Sequence, residues 1–259
     1  MIEVHNLTFG YSSTEDGQIL KGVDFAAKTG KLTALIGTNG AGKSTLLKTI
    51  MGILKGKGEI SVNGKLVSQY STKDFSSTVS YLSQDNDCKV NLSVFEVVML
   101  GRMGSMSFRV SDEDIAATQE VLERLNLQRF ASRSIMELSG GQRQLVFMAQ
   151  ALVKEPKILI LDEPTSALDL HKQFNLLTLL KSLTQENDFT TLVTLHHLDL
   201  AAMFADEIIV LKEGTVYAQG APKDIFTEAM MEDVYRVKTK IYMDDNGLPH
   251  VIPLEAIIN

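Results

Sequence analysis

One eight-residue run limits the fold of this 259-residue chain more than any other feature. Residues 37–44 read Gly-Thr-Asn-Gly-Ala-Gly-Lys-Ser, which fits the G-x-x-x-x-G-K-[ST] pattern of a phosphate-binding loop. The run follows the short apolar segment Leu32–Ile36 and leads into Ser44–Met51, which reads as a helix that stops at Gly52. Its glycines let the backbone curl so that several N–H groups converge on an anion at the positive end of that helix. The sequence therefore predicts a strand–loop–helix unit built around a phosphate site.

The same pattern assigns chemistry to single residues of the loop. Lys43 would reach the β- and γ-phosphates of a nucleotide, and the Ser44 hydroxyl would ligate Mg²⁺. An ordinary strand-to-helix turn is the alternative, but the run lies between a predicted strand and a predicted helix, as a phosphate loop requires. The other loop residues that we predict to bind the nucleotide are Gly37, Asn39, Gly40, Ala41, Gly42 and Thr45.

A second feature is an apolar run that ends in two acids. Ile158–Leu161 reads as a buried central strand, and Asp162 and Glu163 follow it directly. Ligands of open α/β sheets bind outside the carboxyl ends of the strands. We therefore expect Asp162 to hold Mg²⁺, directly or through water, and Glu163 to polarise the water that attacks the γ-phosphate. A strand followed by an acid is common by itself, and the phosphate loop upstream is what favours the functional interpretation.

Charge and cysteine content exclude several other classes of protein. The chain has 25 basic and 32 acidic residues and a net charge of −7, so the chain as a whole is no polycation for nucleic acid. A local basic patch is the alternative, but no block of five or six like charges occurs. Its single cysteine, Cys88, cannot form an internal disulfide, which suits a reducing compartment. The first ten residues have no apolar signal region, and no apolar run reaches the roughly 18 residues of a membrane span. We expect a soluble, cytoplasmic chain.

The order of predicted elements places a helical stretch inside a mixed α/β chain. Asn63 and Gly64 predict a two-residue hairpin turn near the N-terminus. From about residue 88 to 155 the pattern becomes helical, with a capping box at Ser93 and a polar cap at Ser111. Strands alternate with helices after that, which favours a mostly parallel sheet; we predict these strands at Lys157–Leu161, Thr191–Leu195 and Glu207–Leu211.

The run Leu138–Gln142 (Leu-Ser-Gly-Gly-Gln) is the most specific in the chain. Ser139 and Gln142 fit a capping box for a helix that begins near Gly140, and this is the simpler interpretation. Exposed amides and a hydroxyl at a helix N-terminus also suit a phosphate. One nucleotide does not need two such sites on one chain, but two copies arranged head-to-tail would use both.

These motifs together carry a resemblance to a known family. The phosphate loop, the Leu138–Gln142 run and the acids at 162 and 163 occur in the order of the nucleotide-binding subunits of ABC transporters, which the chain resembles over nearly its whole length. The resemblance implies an α/β fold: a P-loop NTPase core with a mostly parallel sheet, an N-terminal antiparallel β subdomain and an inserted helical subdomain. It implies one cassette over residues 1–259, with core and β subdomain in 1–85 and 157–259 and the helical subdomain in 86–156. It also implies ATP hydrolysis with Mg²⁺, and nucleotide binding by Ser139, Gly140, Gly141 and Gln142.

Further family positions carry over one at a time. Tyr11 is similar to the aromatic residue that stacks on adenine, although a tyrosine at a strand end is an alternative. Gln84 resembles the glutamine that touches Mg²⁺ or the attacking water and acts as the hinge of the helical lobe. Asp169, in a Ser-Ala-Leu-Asp run, resembles the residue that reaches the opposite phosphate loop across a dimer. His196 resembles the switch histidine that contacts the γ-phosphate.

The chain departs from the family pattern after that histidine. The family usually has Asp at the next position, where this chain has His197. Either His197 replaces the Asp, or His197 is itself the switch in a shifted register. Counting back from Asp206 favours His196.

The resemblance also implies partners and a branch of the family. Gly101 and Arg102, with a short C-terminal tail, resemble importers of iron–siderophore complexes, haem or cobalamin. The implied partners are a second copy of the chain, an integral-membrane permease and, indirectly, an extracytoplasmic substrate-binding protein, with no nucleic acid. The implied place is the cytoplasmic face of the cell membrane. The alternatives are an importer of another substrate such as a metal ion, a soluble ABC ATPase of translation or DNA repair, and a P-loop kinase.

Overall fold

The structure is a computed structural model that describes residues 1–12, 17–84, 91–103 and 110–258. Cys88 lies outside these ranges. The chain forms two compact units, one of residues 1–69 with 180–259 and the other of residues 70–179. Within the described ranges, no helix is long and apolar enough to cross a membrane.

The first unit holds most of the strands. Its elements are β1 (Ile2–Gly10), β2 (Gln18–Ala27), β3 (Leu32–Ile36), α1 (Lys43–Ile50), β4 (Lys57–Val62), β5 (Lys65–Leu66), β8 (Thr190–Thr194), α7 (Leu198–Phe204), β9 (Glu207–Lys212), β10 (Thr215–Gly220), α8 (Pro222–Ile225), α9 (Glu228–Met230), β11 (Val237–Met243) and β12 (Pro249–Ala256). In the second unit lie α2 (Thr72–Thr78), β6 (Val79–Leu82), α3 (Val94–Leu100), α4 (Asp112–Arg124), α5 (Gly140–Leu152) and β7 (Ile158–Leu161), and α6 (Leu170–Glu186) begins there.

Two sheets of the first unit match the sequence pattern. An antiparallel sheet has the order β2-β1-β4-β5, and its β4–β5 hairpin turns at Asn63 and Gly64, both with positive φ. The other sheet pairs β3 in parallel with β8 on one side and β9 on the other. Every residue of β3 and β8 is buried, as expected for parallel strands covered on both faces. The phosphate loop therefore begins directly after the buried carboxyl end of β3.

The second unit is mostly helical. Its helices α3, α4 and α5 each begin with a complete capping box, formed by Ser93 and Glu96, Ser111 and Asp114, and Ser139 and Gln142. Two parallel strands, β6 and β7, complete the unit. The predicted helix starts at Ser93, Ser111 and Ser139 are thus confirmed, because each serine satisfies an amide that its helix leaves unpaired.

The pair Gly101-Arg102 has a packing role in this unit. A Cβ on Gly101 would lie 2.2 Å from the carbonyl oxygen of Gln150, so only glycine allows α3 to approach α5 this closely. The Arg102 Nε donates to the Asp114 carboxylate at 2.6 Å, and its Nη1 donates to the Val153 carbonyl oxygen at 3.1 Å. Arg102 thereby links the ends of α3, α4 and α5.

Loss of the Asp114 carboxylate should destabilise the protein in a pH-dependent way. The hydrogen bond from Arg102, with those from Ser111, lowers the pKa of Asp114 from its ordinary 3.8 to about 2. Because the folded-state pKa is the lower one, this stabilisation is present above the unfolded pKa and is lost as the pH falls toward 2. We expect Asp114→Asn to lower the thermal unfolding midpoint at pH 7, and the gap from the wild type to narrow between pH 5 and pH 3.

The matched control is Asp112→Asn, which removes an exposed carboxylate from the same first turn of α4. It should change the midpoint little at either pH. Equal effects of the two substitutions would mean that the pair with Arg102 contributes nothing beyond the ordinary charge–helix interaction.

Candidate active site

The phosphate loop of the first unit has the backbone that its glycines predict. Gly37, Gly40 and Gly42 have φ of +147°, +80° and +104°. A Cβ on Gly37 would lie 2.2 Å from the carbonyl oxygen of Leu211, so the loop packs on the end of β9 without room for a side chain. Gly42 occupies the N-cap of α1, whose first amides have no side-chain cap. The loop therefore presents the amides at the N-terminus of α1 to an anion.

Lys43 is the charged group of this loop. Its side chain is buried, with 7% of the residue exposed, and its ammonium donates to the carbonyl oxygens of Gly37 at 2.8 Å and Thr38 at 2.9 Å. A buried ammonium needs such partners, since an unpaired charge in the interior is costly. The ammonium is thus held against the loop itself, within reach of the phosphate that the loop would bind.

Tyr11 and His196 also belong to the first unit. Tyr11 is 69% exposed and packs edge-on against Phe9, with 5.0 Å between the ring centroids. His196 is exposed two residues beyond the end of β8, and His197 occupies the N-cap of α7 with no side-chain cap hydrogen bond. His197 therefore holds the position at which an Asp would cap the helix.

The acids of the second unit lie at the carboxyl end of β7. Asp162 is buried, at 1% exposure, and its N–H donates to the Leu82 carbonyl oxygen at 2.9 Å, which joins the ends of β7 and β6. Glu163 adopts a left-handed backbone with φ of +51°. This conformation is unfavourable for a residue with a Cβ and is concentrated at functional sites.

Three groups of the second unit hold Glu163 in place. The Gln84 side-chain amide donates to the Glu163 carboxylate at 2.7 Å. The Glu163 carbonyl oxygen accepts from the side chains of Gln144 and Ser166, both at 3.0 Å. Because Gln144 lies on α5, the helix of the Leu138–Gln142 run is hydrogen-bonded directly to the segment that carries the acid.

The N-terminus of α5 is open to solvent. Ser139 and Gly140 are exposed, the Ser139 hydroxyl accepts from the Gln142 N–H at 3.4 Å, and the Gln142 side chain accepts from the Ser139 N–H at 2.9 Å. A Cβ on Gly141 would lie 2.8 Å from the carbonyl oxygen of Ala167, so this glycine allows α5 to pack against the loop after Glu163.

Asp169 has a local role in that loop. Its carboxylate accepts from the Lys172 N–H at 3.0 Å, as an N-cap of α6, and pairs with the Lys172 ammonium at 2.8 Å. The hydrogen bonds from Lys172 lower the pKa of Asp169, so it is ionised at neutral pH. The buried Gln173 donates to the carbonyl oxygens of Thr165 and Leu168, which fixes the turn between them.

The candidate metal ligands have suitable chemistry. Ser44, Gln84 and Asp162 offer a hydroxyl, an amide and a carboxylate oxygen, which are the hard donors that Mg²⁺ prefers. Across the described ranges, no group of three or more His, Cys, Asp or Glu side chains could hold a metal by itself. Mg²⁺ in phosphoryl-transfer sites is commonly held by one or two carboxylates together with phosphate oxygens, so these residues fit the ion.

Each unit thus brings together part of the predicted set. The first contains the phosphate loop, Tyr11 and His196, and the second joins Gln84 to Glu163 and packs the start of α5 on the loop that ends at Asp169. Sequence reasoning missed Gln144 and Gln173. The only sequence signal for either residue is its place on the inner face of an amphipathic helix. A glutamine is seldom buried there unless its side-chain amide is hydrogen-bonded.

A phosphate loop after a parallel strand, with a strained acid at the end of another, defines a P-loop ATPase. Residues 20–166, more than half of the chain, match the family described as ABC transporter. The chain belongs to this family and is an ATP-binding, ATP-hydrolysing subunit.

Relatives of known name and structure agree with this assignment. The iron(3+)-hydroxamate import ATP-binding protein FhuC of Bacillus subtilis is 37% identical over 246 residues, which cover 94% of this chain and 90% of FhuC. An inward-facing ABC transporter structure of the metal-chelate type aligns with a TM-score of 0.82 at 29% identity, covering 98% of this chain and 97% of that chain. The dimeric cassette MJ0796, bound to ADP and Pi after hydrolysis, aligns at 0.78 and 30% identity, covering 86% of this chain and 99% of that chain. The predicted fold class is confirmed.

Proposed function

We propose that this chain is the motor of an importer for ferric siderophores. It works as a homodimer at the cytoplasmic face of a membrane, beneath a permease that receives cargo from an extracytoplasmic binding protein. The name of FhuC supports the cargo class, and the groove described below supports the permease. We also propose the division into a core of 1–85 and 157–259 and a helical subdomain of 86–156.

The nucleotide contacts follow from the site residues. In this proposal Tyr11 stacks on the adenine, and the loop amides of residues 37–45 surround the phosphates. The Lys43 ammonium exchanges its hydrogen bonds to the loop carbonyl oxygens for hydrogen bonds to phosphate oxygens. Ser44, Gln84 and Asp162 would hold Mg²⁺, which when bound neutralises charge on the β- and γ-phosphates.

Hydrolysis needs a water aligned with the γ-phosphate. In the proposal Glu163 orients this water and accepts its proton as the water attacks. The hydrogen bond from Gln84 to the Glu163 carboxylate supports this role, because it fixes the acid's side chain. His196 contacts the γ-phosphate, and the register with His196 rather than His197 is retained because His197 occupies the helix cap.

The homodimer completes each site with residues of the partner copy. The exposed N-terminus of α5, with Ser139, Gly140, Gly141 and Gln142, would close over the γ-phosphate bound to the other copy. Asp169 would reach the opposite phosphate loop. The packing of Gly141 against the Ala167 carbonyl, two residues before Asp169, supports this proposal. It holds the start of α5 and the Asp169 turn together, so both would face the partner copy as one surface.

The permease is proposed to dock on a groove in the second unit. The groove has a volume of about 370 Å³ and lies between β6, the end of α3 and one face of α5; its walls include Ser77, Tyr81, Ser83, Leu100, Phe147 and Lys154. Mixed apolar and hydroxyl walls suit a short amphipathic helix. Ser83 immediately precedes Gln84, so movement of Gln84 with the Glu163 site would move the groove wall. We propose that the coupling surface lies near Gln84 and the stretch of residues 85–106, of which 85–90 and 104–106 lie outside the described residues.

A charge in this groove should separate transport from ATP hydrolysis. Leu100 is 41% exposed on the groove wall, so Leu100→Arg can be accommodated while it blocks an incoming apolar helix. We expect ferric-hydroxamate uptake by cells carrying the variant to fall at least about tenfold, with the ATPase rate of the isolated subunit within about twofold of wild type. Leu254→Arg, at an exposed position of β12, is the matched control and should leave both unchanged.

The uptake assay also tests the cargo. Radiolabelled ferric hydroxamate, haem and cobalamin are supplied in parallel to cells with and without the gene. Loss of haem or cobalamin uptake alone would contradict the siderophore assignment. In the groove experiment, loss of ATPase activity in Leu100→Arg would mean that Leu100 serves packing and not docking.

A further inference from the structure

The backbone of Glu163 is held against two of its own preferences. Its φ of +51° is unfavourable for a residue with a Cβ. Pro164 follows it, and a residue before proline normally adopts an extended conformation with negative φ. Such a backbone persists only where its surroundings fix it. The direction in which the Glu163 side chain leaves the chain therefore depends on the contacts of its backbone.

Hydrogen bonds can fix the peptide between Glu163 and Pro164 through one atom only. Proline has no N–H, so the Glu163 carbonyl oxygen is the single hydrogen-bonding group of this peptide. It accepts from the Gln144 side-chain amide at 3.0 Å, from the Ser166 hydroxyl at 3.0 Å and from the Ser166 N–H at 3.3 Å. Both Ser166 donors lie in the same turn as Glu163, whereas Gln144 ties the peptide to a different element, the helix α5.

The position of Gln144 makes this hydrogen bond hard to replace. Only 8% of the residue is exposed, so water cannot readily take the place of its amide. Gly141 lies three residues earlier on the same face of α5 and packs on the carbonyl oxygen of Ala167, which holds the helix close to the turn after Glu163. The other end of Glu163, its carboxylate, accepts from the Gln84 amide at 2.7 Å. Backbone and carboxylate of the acid are thus held by two different glutamines.

We propose that Gln144 is a positioning residue for ATP hydrolysis. By holding the Glu163 carbonyl oxygen, it stabilises the left-handed backbone that directs the carboxylate toward the attacking water, while Gln84 fixes the carboxylate itself. In this role Gln144 contacts the backbone of the base and no reacting atom. The inference rests on the proposed function, in which Glu163 is the base.

The test is Gln144→Met, which keeps the length of the side chain and removes its amide. Without this hydrogen bond the strained backbone relaxes and the Glu163 carboxylate shifts, so kcat should fall about 10- to 100-fold, as it does when a catalytic group moves by about 1 Å. The Kd for ADP should stay within about twofold, because the phosphate loop is unaltered. Steady-state ATPase rates and calorimetric titration with ADP measure the two effects. If Gln144→Met does not fold, Gln144→Asn, whose amide is one carbon too short to reach the carbonyl oxygen, should show the same loss of kcat.

The matched control is Gln150→Met, which makes the same chemical change six residues further along α5, where the side chain lines the groove. The isolated subunit should then hydrolyse ATP and bind ADP as the wild type does. An unchanged kcat in Gln144→Met, or an equal loss of kcat in both variants, would overturn the proposal.

A double-mutant cycle with Glu163→Gln separates positioning of the base from a general structural role. If Gln144 acts only through Glu163, adding Gln144→Met to Glu163→Gln should lower the residual turnover by less than about twofold. A further loss as large as that in the wild-type background would mean that Gln144 acts independently of the base, and would overturn the proposal. Normal turnover in Glu163→Gln alone would instead remove the base from the proposed function and the positioning role with it. Normal turnover in Gln144→Met beside an impaired Glu163→Gln would overturn the positioning role alone.

Discussion

Glu163→Gln is expected to lower ATP turnover by about 10²–10⁴-fold while ATP still binds, because the change removes the proposed general base and little else. The Glu163 carboxylate accepts a hydrogen bond from the Gln84 amide, and the carbonyl oxygen of a glutamine can accept the same bond. The backbone contacts of residue 163 with Gln144 and Ser166 do not involve its side chain. Only the basicity of the side chain is lost. Steady-state ATPase rates and calorimetric Kd values measure the two effects separately.

A second glutamate offers a control for the unusual backbone. Glu155 is exposed and has φ of +50°, almost the same left-handed conformation as Glu163. Glu155→Gln therefore tests whether a Glu to Gln change at such a position alters folding by itself, and it should leave turnover unchanged. In Glu163→Gln, unhydrolysed ATP should also hold two copies together, which size-exclusion chromatography detects. Turnover near that of the wild type would exclude Glu163 as the base.

Short-range patterns in the sequence predicted much of this structure. The phosphate loop and the three capping boxes are local: their residues lie within eight positions of each other, and their geometry follows from backbone amides that need partners. The predicted turn at Asn63 and Gly64 is local too, since both residues adopt positive φ readily. The ends of most predicted strands and helices lie within one residue of the observed ends. The helix predicted at Ser44–Met51, for example, is observed at Lys43–Ile50.

Short-range patterns could not predict contacts between residues that are far apart in the sequence. The hydrogen bonds from Gln144 to the Glu163 carbonyl oxygen and from Ser80 to the Ala151 carbonyl oxygen join residues 19 and 71 positions apart, and no periodicity or spacing marks either pair. Gly101 and Arg102 were interpreted as marks of an importer branch, whereas the structure gives them a packing role within the helical unit. A motif that recurs in a branch can therefore reflect its helix packing as well as its cargo.

Whether each site is shared between two copies can be decided by mixing two inactive variants. Lys43→Ala removes the cation of the phosphate loop, and Ser139→Arg destroys the cap and fills the exposed N-terminus of α5, so each alone should abolish turnover. If loop and α5 meet across a head-to-tail dimer, a mixed dimer has one intact pair: the loop of the Ser139→Arg copy and the α5 of the Lys43→Ala copy. Half of the dimers in an equal mixture are mixed, so we expect activity to recover to about a quarter of wild type when the sites act independently.

The reverse mixture distinguishes this arrangement from one in which both elements serve the same chain. When the wild type is mixed equally with the Lys43→Ala/Ser139→Arg double variant, a mixed head-to-tail dimer contains no intact pair. Only the wild-type dimers remain active, about a quarter of the total, whereas sites formed within single chains would leave about half of the activity. Coupled-assay ATPase rates measure both mixtures at one total concentration. A first mixture that stays inactive, together with a second that retains half, would contradict a shared site and place the whole site in one copy.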